Sequence, residues 1–171
     1  MTARKTYDFE DLVDGIKNIL QANLPAAIVI QNTEKNDAYI IPNPEGYYFG
    51  YRHVDFKIGM NKAVVIVNLS TVEAENINSE HTENSIGIDA IVIHWGEKSE
   101  AVERRVMRFA KVMRKVLDEN QLQNHLVPTP DNIKDSVVAM MDFAFSDFEG
   151  DVYMKSATVR VKVKESWTYE S

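Results

Sequence analysis

The residues best equipped for chemistry are few and scattered. The four histidines, His53, His81, His94 and His125, share no metal-ligand spacing, and no His-Glu-x-x-His helix occurs. His94 ends an apolar run beside Trp95, the setting of a packed, hydrogen-bonded histidine rather than a ligand. His81, next to Glu80 and close to Glu83, reads as part of a solvated loop. Asp142, Asp147, Glu149 and Asp151 precede Lys155, but a metal-dependent nuclease needs acids and a lysine on adjacent strand positions with an acid-x-lysine step. Here Gly150 breaks the strand and four positions separate Asp151 from Lys155. No phosphate-cradling glycine loop and no Gly-x-Ser-x-Gly elbow is present. With no cysteine, thiol catalysis, disulfides and Cys-based zinc sites are excluded. The sequence therefore predicts no enzyme, no catalytic residue, no metal and no cofactor.

Three patterns point to contacts instead. Arg104, Arg108, Lys111 and Lys115 recur at helical spacing, with Arg105 and Arg114 at their sides. Such a row is either a solvated face or a positive strip that meets an acidic neighbour or passing DNA. Thr71 to Ser85 is rich in Glu, Asn and Ser and holds Glu73, Glu75, Glu80 and Glu83, so another copy of the chain could supply that neighbour. Tyr47, Tyr48, Phe49 and Tyr51, followed by Arg52, read as an aromatic strand or loop covering a sheet edge. The alternative is a subunit contact through Tyr48 and Tyr51.

These groups need elements to position them. Ile91, Val92 and Ile93 are consecutive, as in a central strand covered on both faces. The next run, Ser99 to about Gln121, places Val102, Val106, Phe109, Met113 and Val116 on one helical face, with Ser99 as N-cap and Glu100 and Glu103 at the helix start. Upstream, a helix is expected from Asp8 to Ala22, with Gly15 on its polar side and Pro25 ending it. Ala26 to Ile30 and Ala38 to Ile41 read as short strands, and Ala63 to Leu69 as a buried one. The polar stretch between Leu69 and Ile86 reads as the extended tip of a hairpin that orders against a partner. Downstream, a short helix is expected from Asn132 to about Ala139, after a helix start at Thr129 to Asp131. A strand over Met140 to Phe145 and an acidic turn over Asp147 to Asp151 follow. The last strand alternates cleanly: Val159, Val161 and Val163 in, Arg160, Lys162 and Lys164 out, with Trp167 and Tyr169 just beyond.

The sum is an α+β fold: a mainly antiparallel sheet with a long hairpin, packed against one long helix and an N-terminal helix. At 171 residues it suits a single domain spanning 1–171. Nineteen basic residues against 26 acidic give a net charge of −7, which offers no general affinity for nucleic acid or anionic membrane. No transmembrane run or signal peptide is apparent, so folding in the cytoplasm is expected.

Several stretches resemble the tail terminator (tail completion) proteins of long-tailed bacteriophages. Leu24-Pro25-Ala26-Ala27-Ile28-Val29-Ile30 resembles the segment following their first helix, and Ala63–Leu69 with Ile86–His94 resembles their long hairpin. Ser99 to Leu126 resembles the main helix and the turn after it, and Ala157 to Lys164 the terminal strand. The resemblance covers most of the chain as a pattern, without a diagnostic motif. It implies a virion protein, usually a homo-hexameric ring, that caps the tail tube and joins it to the head connector or neck protein, with DNA passing through without sequence-specific binding. Another neck or tail component of similar fold, a connector or tube protein, is the nearest alternative. A small enzyme or ligand-binding α/β domain is the third.

Overall fold

The computed structural model describes residues 5–50, 61–78, 80–149 and 152–168. In chain order the elements are α1 (Phe9–Lys35), β1 (Tyr47–Phe49), β2 (Lys62–Asn78), β3 (His81–Gly96), α2 (Ser99–Glu119), α3 (Leu122–His125), β4 (Ile133–Glu149) and β5 (Val152–Thr168). The fold is α+β. Among the described residues the sheet runs β1-β2-β3-β5-β4, antiparallel throughout except for the short β1, which lies parallel to β2.

Strand alternation decides which side chains meet the helices. Ala63, Val65 and Val67 of β2, Ile86, Ile88, Ala90 and Val92 of β3, and Ala157, Val159, Val161 and Val163 of β5 share one face. They form one core with Leu12, Ile16, Leu20 and Leu24 of α1 and Val102, Val106, Phe109, Met113 and Val116 of α2. The opposite face carries the ion pair of Arg160 with Asp89, whose Nε–Oδ1 distance is 2.7 Å, along with Lys162 and Lys164. On that face Ile91 and Ile93 are half-buried, whereas Val64 and Ile66 are buried. The central strand is covered on both faces only over part of its length.

Helix α1 departs most from its sequence pattern. Asp8 and Asp11 close a capping box at its start. The helix does not stop at Pro25 but continues to Lys35, so Ala26 to Ile30 is helical and not a strand. Proline forfeits one backbone hydrogen bond and crowds the preceding turn, at about 3 kcal/mol. Beyond it, Ile28 and Gln31 carry the buried stripe on from Leu24 by one and two turns. Burying Ile28 contributes about 1.5–3 kcal/mol, comparable to that cost, and the two hydrogen bonds between Asn32 and Ile41 add to this contribution. The helix ends where Asn36 takes a left-handed conformation at φ 44°. Ala38 to Ile41 is likewise no strand. It is an extended connector bracketed by Asn32, which donates to the Ile41 carbonyl and accepts from the Ile41 amide, both at 3.0 Å.

Other boundaries moved too. Lys98, not Ser99, is the N-cap of α2, and no side chain caps that end. Gly15 is not a spare position on a polar face, because a Cβ there would stand 2.5 Å from Leu122 of α3. The expected tip between Thr71 and Ser85 is a two-stranded ladder, with Glu73 opposite Ser85 and Ala74 opposite Asn84. Within the chain, β5 also flanks β3 as far as His81, opposite Thr168. Trp167 therefore lies within β5. From Ile133 on, the expected helix of Asn132 to Ala139 is instead the start of β4, and α3 lies in the turn after α2. Of the acidic turn, Asp147 to Glu149 belong to β4, while Gly150 and Asp151 lie outside the described residues.

Replacing Pro25 with alanine restores the missing donor inside α1. The variant is expected to unfold with about 1–2 kcal/mol more free energy by urea titration. Unchanged stability would argue against a continuous helix.

Candidate functional site

The basic row on α2 is largely satisfied within its own chain. Arg104 Nε lies 2.9 Å from Glu100 one turn earlier, and its guanidinium stacks 4.9 Å from the Tyr39 ring. Arg108 reaches the connector after α1: Nη1 donates to Asp37 Oδ1 at 2.8 Å and to the Tyr39 carbonyl at 2.6 Å. Arg105 donates to the Ile40 carbonyl and to Asn61 Oδ1, each at 2.9 Å. Together these arginines clamp the segment from Asp37 to Ile40 onto α2. Hydrogen bonding from Arg108 holds the Asp37 carboxyl down at about 2, so the clamp stays charged through all ordinary pH. Arg114 and Lys115 face Asp118 and Glu119 one turn on, at 3.4 and 3.9 Å. Lys111 alone of the row has no ion-pair partner among the described residues. Most of the strip's charge is thus neutralised before any neighbour arrives.

The acidic group sits elsewhere. Glu73, Glu75 and Glu83 share the face of the sheet away from the helices, with Glu75 directly opposite Glu83. They line a shallow hollow of about 360 Å³ beside Lys164, and His81 Nε2 stands 3.6 Å from Glu83. Glu80 is exposed in the turn between the strands. The structure does not bring this acidic end and the α2 row together within one copy: they occupy opposite faces. Tyr48 sits in β1 beside Ile66 of β2, in keeping with an aromatic strand on the sheet edge. Tyr51 and Arg52 lie outside the described residues. No group of three or more His, Asp or Glu suited to a metal ion occurs among the described residues.

His94 is fully buried, with its Nδ1 2.7 Å from the Lys62 carbonyl and its ring 6.0 Å from that of Phe109. The carbonyl can only accept, so Nδ1 carries the proton. Nε2 has no partner. Burial pushes this imidazole down to about 4, reinforced by the nearby charge of Arg105. It is a neutral core group.

Surfaces that sequence reading missed are the sheet edges. β4 closes one side of the sheet, and no strand among the described residues pairs with its outer edge over Ile133–Glu149. That edge is apolar: Val137 is 47% exposed, Met140 40%, Met141 37% and Phe143 41%. On the other side β1 covers only Val65 to Val67, so β2 beyond Leu69 is a second open edge among the described residues. Natural sheets usually blunt such edges with charge, proline or short strands. The signal in sequence was the density of Val, Met and Phe between Val137 and Phe145 with Asp142 as the sole charge.

Compared with protein-family models and with curated proteins, the chain has no match. No helix is long and apolar enough to cross a membrane among the described residues.

Arg108→Ala should destabilise the chain by about 1–2 kcal/mol and speed amide exchange at Asp37 to Ile41, because it strips three hydrogen bonds from the connector. Lys115→Ala should change stability by less than about 0.5 kcal/mol. For His94, the unfolded chain takes a proton near pH 6.5 while the folded chain resists it to about 4. Stability present above pH 6.5 is therefore lost progressively as pH falls toward 4, by about 3 kcal/mol at most. His94→Leu should remove that part of the pH dependence, read as the difference between the two unfolding midpoints from pH 7 to 4.

Proposed function

We infer that this chain is a structural subunit that closes into a ring through its sheet edges, acting as the tail terminator of a long-tailed phage. In that role it caps the finished tail tube and presents its other side to the head connector, in the host cytoplasm during assembly and in the virion afterwards. The observation that carries this reading is the pair of unlike open edges. One is the apolar outer edge of β4, and the other is the distal half of β2. A closed ring needs two different, complementary surfaces on each copy, one for each neighbour. Edge-to-edge strand pairing supplies backbone hydrogen bonds with little demand on side-chain identity. The pattern resemblance to tail terminators favours six copies.

Charge supports the same reading. A net charge of −7, the exposed Glu73, Glu75 and Glu80 and the half-buried Glu83 suit a protein whose bore must let DNA slide rather than hold it. Of the α2 row, Lys111 has no ion-pair partner among the described residues and is the cation offered to a neighbour.

Val137 and Met140 project from β4 on the face away from the helices, opposite Lys162 and Arg160, so replacing both with lysine places charge on the edge without entering the core. The double variant V137K/M140K is expected to fold with near-normal stability. Light scattering after size exclusion should find it monomeric under conditions where the parent chain forms a ring. In phage lacking the gene, overlong or headless tails should be rescued by the parent chain and not by the variant. Normal tails without the gene would reject termination, and a ring that persists in V137K/M140K would reject the β4 edge as the contact.

A further inference from the structure

Glu165 is a buried carboxylate with an unusual set of neighbours. It continues the inward alternation of β5 after Val159, Val161 and Val163, and only 3% of it is exposed. Its oxygens accept from neutral amides: Asn84 Nδ2 at 2.8 Å on Oε2 and Asn132 Nδ2 at 2.8 Å on Oε1. No cation among the described residues pairs with it. Asn132 in turn donates to the Tyr7 carbonyl at 2.9 Å and accepts from the Tyr7 amide at 3.1 Å, so the network is fixed. Nor is Glu165 needed to cap α1, since Asp8 and Asp11 already cap each other.

A buried charge held only by neutral donors is incompletely compensated, because ionic partners contribute more than amides do. Each carboxylate oxygen keeps a further acceptor site after one hydrogen bond. Glu165 lines a pocket of about 290 Å³ whose remaining walls are Tyr7, Asp8, Phe9, Asn84, Trp167 and the Thr6 segment. Asp8 at the rim adds negative charge, and the Phe9 and Trp167 rings supply apolar faces. The volume lies at the low end of the roughly 300–1,000 Å³ typical of small-molecule sites, a match for one long side chain.

We propose that this pocket receives an arginine side chain from a partner protein, with the guanidinium on Glu165 and the stem against Phe9 and Trp167. Arginine fits better than lysine because a planar, weakly hydrated guanidinium stacks on an aromatic face while donating in its plane.

The probe is N-acetyl-arginine methylamide, titrated into the full chain and followed through the Trp167 indole and Asn84 side-chain signals by NMR. Saturable shifts of both are expected in the millimolar range, with the neutral citrulline analogue binding at least tenfold more weakly. In Glu165→Gln, Asn84 can turn its carbonyl toward the new amide, so the network survives while arginine affinity falls at least tenfold. Trp167→Ala leaves the carboxylate and both asparagines in place and should weaken the probe severalfold, a test that stands even if Glu165→Gln fails to fold. Equal binding of the arginine and citrulline probes, undiminished binding to both variants, or no saturable shift would overturn the proposal.

Discussion

The fold depends on β3 being hydrogen-bonded along its whole length on both sides. It pairs with β2 from His81 to Trp95 on one side and with β5 from His81 to Gly96 on the other. Two full ladders satisfy its backbone regardless of what its side chains are. The inner half, Ile86 to His94, can thus be apolar and buried under the helices, while the outer half, His81 to Ser85, is polar and still ordered. Everything else is laid against this strand. The helices cover its inner half from one face, and β2 and β5 carry their own partners outward to the two open edges.

That arrangement explains which parts were legible in the sequence. Alternation marked the last strand, continuous apolar runs marked the Ala63–Leu69 and Ile86–His94 strands, and helical spacing marked α2, and these make up most of the core. The class of fold followed from them. The outer ribbon was illegible because Glu, Asn and Ser are poor strand formers by composition, and only the ladder on each side keeps them extended. Pro25 misled for the same reason in a helix: local preference lost to the buried stripe of Leu24 and Ile28.

β4 was hidden by its own geometry. Register shifts between Ile133 and Asp135, and between Val138 and Met140, each insert an extra residue. The residues aligned with the inward positions of β5 are therefore Ser136 and Val138, then Met141 and Phe143, and the even phase turns odd at Ala139. No alternation survives for a reader of the sequence. The buried Glu165 was hidden for a different reason. Its position in the inward phase of β5 was visible, but the asparagines that hold it come from β3 and from the residue preceding β4, 81 and 33 positions away. Among charged groups, the α2 arginines were legible as a row and illegible as a clamp, because the Asp37 connector that meets them carries no periodic signal.

The same register shifts have a geometric outcome for anything that adds to the free side of β4. An even strand can accept a newcomer at many offsets, each two residues apart and nearly equal in energy. Inserted residues at Lys134 and Ala139 interrupt that translational sameness and steepen the local coil of the strand. A joining strand then finds few offsets that fit, and one angle of approach. Curvature between successive molecules would be written into a pair of supernumerary residues rather than left to the chemistry of the surfaces that touch.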